Sequence, residues 1–193
     1  MDLKTLVQDK KWLEVAEFQY LKESFIDLFE KELDFSVLSK FQILSEGFIR
    51  RYANRVDWIN ILTFQKLSVS FIERHIQYIN TNYHWKLVSR YQILNEAFIH
   101  KYANKIDWSW IGIKQSLSEK FLEEHSNHIR WGNISYYMTL SEAFVDKFAN
   151  IIDTNYCYVY IVYLPDRNDQ VFITIKISDT GRQMMVSKRR SYE

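Results

Sequence analysis

Apolar and polar positions along this chain follow a pattern that returns about every 23 residues. A leucine marks each return, at Leu21, Leu44, Leu67, Leu94, Leu117 and Leu140, with steps of 23, 23, 27, 23 and 23 residues. An aromatic residue holds a second phase: Trp12, Phe35, Trp58, Trp85, Trp108 and Trp131. Three residues after each comes an aliphatic, at Val15, Leu38, Ile61, Val88, Ile111 and Ile134. A glutamine stands two residues before the leucine at Gln19, Gln42, Gln65, Gln92 and Gln115, and Met138 replaces it in the sixth copy. A period of this size predicts stacked repeats, because one short unit cannot bury its own apolar face.

The spacing inside each copy predicts two short helices. The first opens after Asp34, Asp57 or Asp107, whose carboxylates suit the free amides of a first turn. It carries Trp58, Ile61 and Leu62 on one face, at helical offsets of three and four. Ser45, Ser68, Ser118, Ser141 and Asn95 then predict N-caps for the second helix. Glu46, Glu96, Glu119 and Glu142 follow directly, where negative charge suits the helix dipole. The second helix presents Phe48, Ile49, Tyr52 and Val56 as an apolar stripe. Lys11, His84 and Arg130 stand where other copies have the capping aspartate. The four extra residues between Ser68 and Trp85 equal about one helical turn, which predicts a longer helix or a looped-out corner.

Alternate copies differ. The second, fourth and sixth read YANRVDW, YANKIDW and FANIID, whereas the others are looser and more acidic. The expected architecture is therefore mainly α: a solenoid-like array of six helical hairpins over residues 1–154, grouped as three double units. Beyond it, NYCYVYIVYL and VFITIKIS flank the turn PDRNDQ, and a second turn at Asp179-Thr180-Gly181 leads into RQMMVSK. These β-branched and aromatic runs predict an antiparallel β-meander over residues 155–193 with a basic tail.

Composition adds exclusions. Lys+Arg 25 against Asp+Glu 24 leaves a formal net charge of +1, so no global field draws in nucleic acid or membrane. The single cysteine, Cys157, excludes an intramolecular disulfide and a multi-cysteine zinc site. The N-terminus lacks the continuous apolar core of a signal peptide, and the apolar run from Tyr156 to Leu164 is too short for a membrane span. Cytoplasmic residence is the expectation.

Catalytic chemistry finds little foothold. No glycine-rich phosphate loop, activated nucleophile or paired-carboxylate signature is present, so no cofactor or metal is expected and the chain reads as a non-enzyme. The aspartates before tryptophan read as caps. The glutamines read as ligands of turn backbone, and His75 and His125 as packing groups with a polar tip. His125 and His128 lie three apart, but no matched Cys or carboxylate completes a metal site. Charge is the more useful signal. Arg50, Arg51 and Arg55, with His100, Lys101 and Lys105, mark the outer side of the even-numbered second helices. Asp27, Glu30, Glu73, Glu123 and Glu124 hold similar places in the odd-numbered ones. One reading is neighbouring ridges joined by ion pairs. The other is a basic strip meeting an acidic protein or nucleic acid, with Arg182, Lys188, Arg189 and Arg190 adding to it from the C-terminal segment.

The core pattern LSExFIxxYxxxIDWxxIxxxQxLSExFI resembles the short tryptophan-bearing helical-hairpin repeats of large DNA virus and bacteriophage proteins. The likeness covers residues 12–154. It implies an α-helical array in a virus-encoded protein that engages a host macromolecule, in its most concrete form an anti-CRISPR-type inhibitor of a host defence system. Nucleic-acid binding through the basic faces and tail is the alternative, and homodimerisation through the exposed meander edge or an uncapped array end is a further option.

Overall fold

The computed structural model describes residues 2–18, 20–138, 140–148, 158–163, 170–178 and 181–189. The protein is mainly α. It divides into two compact units, Met1–Asp107 and Trp108–Glu193. No helix among the described residues is long and apolar enough to cross a membrane.

The first unit holds α1 (Leu3–Gln8), α2 (Trp12–Glu17), α3 (Glu23–Leu28), α4 (Phe35–Phe41), α5 (Glu46–Arg51), α6 (Trp58–Phe64), α7 (Val69–Arg74), α8 (Asn82–Tyr91) and α9 (Glu96–Lys101). The caps fall where the sequence places them. Asp34 accepts from the Ser36 amide at 2.7 Å and Asp57 from the Ile59 amide at 2.9 Å. Ser45, Ser68 and Asn95 accept from the amides of Phe48, Phe71 and Phe98 at 3.1, 3.1 and 2.8 Å. Each cap ties down one of the free donors at a helix start, a contribution of about 1 kcal/mol.

Burial follows the repeat phases. Val15, Leu38, Ile61 and Val88 are fully buried, as are Ile26, Phe48, Ile49, Ile72 and Ile99, and the marker leucines are nearly so. α2 packs on α4, α4 on α6 and α6 on α8, and the aliphatic of each of these helices is fully buried. Three of the four extra residues lengthen the helix: α8 has 10 residues against 7 in α4 and α6. Its cap moves upstream to Thr81, whose hydroxyl accepts from the His84 amide at 3.1 Å. His84 is therefore inside the helix, not a substitute cap. Lys11 makes no side-chain capping bond.

The second unit holds α10 (Trp108–Lys114), α11 (Glu119–Glu124), α12 (Trp131–Tyr137) and α13 (Glu142–Lys147). Ser118 and Ser141 cap α11 and α13 through the Phe121 and Phe144 amides, each at 3.2 Å, while Arg130 gives α12 no side-chain cap. α10 packs on α12, and Gly112 makes the approach close: a Cβ there would sit 2.9 Å from Ile134 Cδ1. This unit also contains β1 (Tyr158–Tyr163), β2 (Gln170–Ser178) and β3 (Gly181–Arg189), antiparallel in the order β1-β2-β3. Tyr158 pairs with Ile175 and Gln170 with Arg189. Gln19, Cys157, Pro165, the Asp179-Thr180 turn and Arg190 lie outside the described residues.

Candidate functional site

The buried polar groups belong to the scaffold. Gln65 Oε1 accepts from the Leu44 amide at 3.0 Å, while Nε2 donates to the carbonyls of Ser39 and Gln42 at 3.0 and 2.8 Å. Gln42 makes the same clamp on Leu21, Ala16 and Phe18, and Gln92 on Leu67, Leu62 and Gln65. Each glutamine thus satisfies the turn of the preceding copy. The first-turn glutamates do a second job besides facing the helix dipole. Glu23 accepts from the Ser45 amide at 2.7 Å and Glu46 from the Ser68 amide at 2.6 Å, and Glu119 binds Ser141 in the second unit.

The histidines follow the packing reading. His75 is buried, stacks on Phe71 at 4.1 Å and donates through Nδ1 to the Phe71 carbonyl. His125 packs between Trp108 and Phe121, and His128 stacks on Trp108 at 5.2 Å. Among the described residues no group of three or more His, Cys, Asp or Glu gathers as a metal-binding set. His84 keeps its Nδ1 buried without a hydrogen bond, and desolvation pulls its pKa down against the attraction of Asp57.

The basic residues resolve into a ladder. Numbered from the marker leucine, a carboxylate at the sixth residue of the first, third and fifth copies meets a cation at the seventh of the next. Asp27 meets Arg51 at 2.6 Å, Glu73 meets Lys101 at 2.7 Å, and Glu123 meets Lys147. Arg55 adds Glu30 at 3.5 Å and also binds its carbonyl. These side chains are partly exposed, Arg51 at 55% and Asp27 at 32%, so each pair contributes about 0–1 kcal/mol. Arg51, Arg55 and Lys101 thus have carboxylate partners, as the reading of neighbouring ridges joined by ion pairs expects. Arg55 and Lys105 also lie past the ends of α5 and α9, in the following turns. There Arg55 covers the Phe35 ring at 4.0 Å and Lys105 the Trp85 ring at 5.5 Å. Of the C-terminal candidates, Arg182, Lys188 and Arg189 lie in β3.

Tyr52 joins the first rung, its hydroxyl 2.8 Å from Glu30 and 3.0 Å from Asp27. Burial, then the bonds to Glu30 and Asp27, push the phenol up from 10.0 to about 12. Because the folded state favours the protonated phenol, its stabilisation is complete below pH 10.0 and is lost as pH rises toward about 12. The expected result is that the stability difference between wild type and Tyr52→Phe shrinks across that alkaline window, measured by urea unfolding at stepped pH. A constant difference would remove Tyr52 as the cause.

One rung differs. Between the second and third copies the facing positions are Arg50 and Arg74, two like charges. They line a cleft of about 190 Å³ together with Glu46, Gly47, Phe71 and His75. Among the described residues Arg50 makes no hydrogen bond or ion pair, and Arg74 spends only its Nε–H, on the Ser70 carbonyl at 3.1 Å. Gly47 sits inside α5, where glycine costs about 1 kcal/mol relative to alanine. The fold does not demand it, since a Cβ would meet only Ser45 Oγ at 3.6 Å.

A second surface escaped the sequence reading. At the ends of α4, α6 and α8 and in the turns after α4 and α8, Phe41 is 49% exposed, Ile43 81%, Phe64 51%, Tyr91 43% and Ile93 82%. They sit three and one residues before the marker leucine. Lys40 and Arg90 lie over the Phe41 and Tyr91 rings at 4.8 and 5.0 Å. The available signal was an apolar residue recurring outside the buried stripe. Comparison with protein-family models, curated proteins and solved structures finds no match to this chain.

Proposed function

We propose that this is a non-enzymatic binding protein whose stacked helical hairpins, with a C-terminal β-meander, form a scaffold for recognising another protein. The observation that carries this reading is the exposed row of Phe41, Ile43, Phe64, Tyr91 and Ile93, on a scaffold whose buried glutamines are absorbed by its own turns. Large apolar side chains grouped on a surface are a common mark of protein–protein contact. The resemblance to viral repeat proteins supports a partner in a host cell. The concrete form is an inhibitor of a host defence nuclease, of the anti-CRISPR kind.

Nucleic-acid binding through Arg50, Arg51, Arg55, Lys101, Lys105 and the C-terminal basic residues is the second reading. It draws on Arg50 and Arg74, but the ion-paired state of Arg51, Arg55 and Lys101 weighs against it. Its mark is a steep fall of affinity with salt.

Affinity purification from host lysate tests the first reading. Wild type is expected to retain a stoichiometric protein that Ile43→Glu with Ile93→Glu does not. Both sites are solvent-facing, so the double variant should unfold at the wild-type urea concentration. Equal retention by the double variant, or no stoichiometric protein at all, would sink the reading.

A further inference from the structure

The ladder also indicates which chemical group the surface takes. Resting on the protein-binding reading above, we propose that the cleft between α5 and α7 is an anchor for an acidic side chain, aspartate or glutamate, of the partner protein. The three ion-paired rungs each place a carboxylate opposite the basic residue, supplied by Asp27, Glu73 or Glu123. At the Arg50–Arg74 rung the chain supplies none, and a carboxylate from outside completes it.

The site has the right parts. Two guanidinium groups offer planar forks of N–H donors that match a carboxylate geometrically. The Glu46 carboxylate at the rim is already bound to the Ser68 amide, and His75 turns its Nδ1 to the Phe71 carbonyl. Phe71 and His75 are buried and give the cleft a ring-lined wall, where charge attraction is less screened than in open water. Gly47 keeps the space clear. The equivalent position carries Ser24, Ser70, Ala97, Lys120 and Ala143 in the other copies, so no shared packing rule calls for glycine.

Size and charge favour a carboxylate over a nucleic-acid strand. A cleft of about 190 Å³ takes a side chain. A phosphate backbone needs a row of uncommitted cations, and Arg51 and Lys101 are held by Asp27 and Glu73.

Arg50→Glu is the decisive variant, because it rebuilds the rung in the form already seen at Asp27–Arg51 and should fold at least as well as wild type. The probe is a hexaglutamate peptide, titrated against isotope-labelled protein by NMR. The Gly47 amide and the Arg50 and Arg74 Nε–H signals are expected to shift. Arg50→Glu and Gly47→Gln should each weaken binding about tenfold or more, while Lys101→Ala leaves it unchanged. No shift at Gly47, undiminished binding by Arg50→Glu, or displacement of the peptide by a tighter-binding oligonucleotide would each overturn the assignment. Lysate capture separates this failure from failure of the broader reading. A partner held equally by wild type and Arg50→Glu refutes the cleft alone, whereas capture of nothing by either refutes the binding function and with it the partner carboxylate.

Discussion

Replacing Gln65 by glutamate should destabilise the first unit by about 3–5 kcal/mol, the range for an uncompensated buried charge. The two side chains have nearly the same shape, so the effect reports hydrogen bonding and charge rather than packing. Gln65 is buried and uses both ends of its amide: the oxygen accepts from Leu44 N–H, and the nitrogen donates to the Ser39 and Gln42 carbonyls. A carboxylate keeps the first bond, loses the other two and sets negative charge against two carbonyl oxygens. Protonation restores one donor, so the folded-state pKa of the introduced glutamate must rise above its ordinary value of about 4.3. The relative stability of Gln65→Glu is therefore best below that pH and falls as pH rises through the raised pKa. Urea unfolding at acid and neutral pH reads both points. A loss below about 1 kcal/mol at neutral pH, the value of an ordinary hydrogen bond, would mean that the clamp is incidental.

The same clamp shows what the sequence could and could not disclose. Its period named the glutamines and tied them to turn backbone, but a one-dimensional repeat does not say which copy a side chain reaches. Gln65 reaches Leu44, and Glu46 reaches Ser68, in opposite directions along the chain. Caps such as Ser45 and Asp57 were legible because a cap bonds within three residues of itself. The ladder was legible only as alternating charge. That Asp27 meets Arg51, and so that Arg50 and Arg74 line one cleft, depends on the offset between stacked helices, which follows from packing. Phe41 and Ile93 were missed for a related reason. In a chain that is 17% aromatic, an exposed ring looks like a buried one until its neighbours are known. The longer α8 was expected as one of two outcomes. Thr81 decided it by offering a hydroxyl to the His84 amide one turn upstream of the usual start.

Trp58→Ala should cost about 3–5 kcal/mol and Trp58→Phe about 1–2 kcal/mol, from the range for truncated core aromatics and for a lost ring edge with an orphaned acceptor. Trp58 lies stacked on Tyr78 at 4.8 Å and close to Phe71 and His75, and its Nε1–H donates to the buried Ala53 carbonyl at 2.9 Å. Alanine empties that space. Phenylalanine fills most of it but leaves the Ala53 carbonyl unpaired, and the fold already accepts a phenylalanine at this phase in Phe35, packed against Phe48 and Tyr52. Urea unfolding followed by far-ultraviolet circular dichroism separates the two variants. The pair also divides scaffold from surface. Phe71 and His75 line one side of the Arg50–Arg74 cleft and rest on Trp58, so Trp58→Ala should lose peptide binding together with stability. Trp58→Phe should keep binding within about twofold, because the rings behind the cleft stay supported and neither arginine is touched. Were Trp58→Phe to lose binding while remaining folded, the indole itself would be part of the recognition surface, and the separation of a buried aromatic ladder from an outer charge ladder would fail.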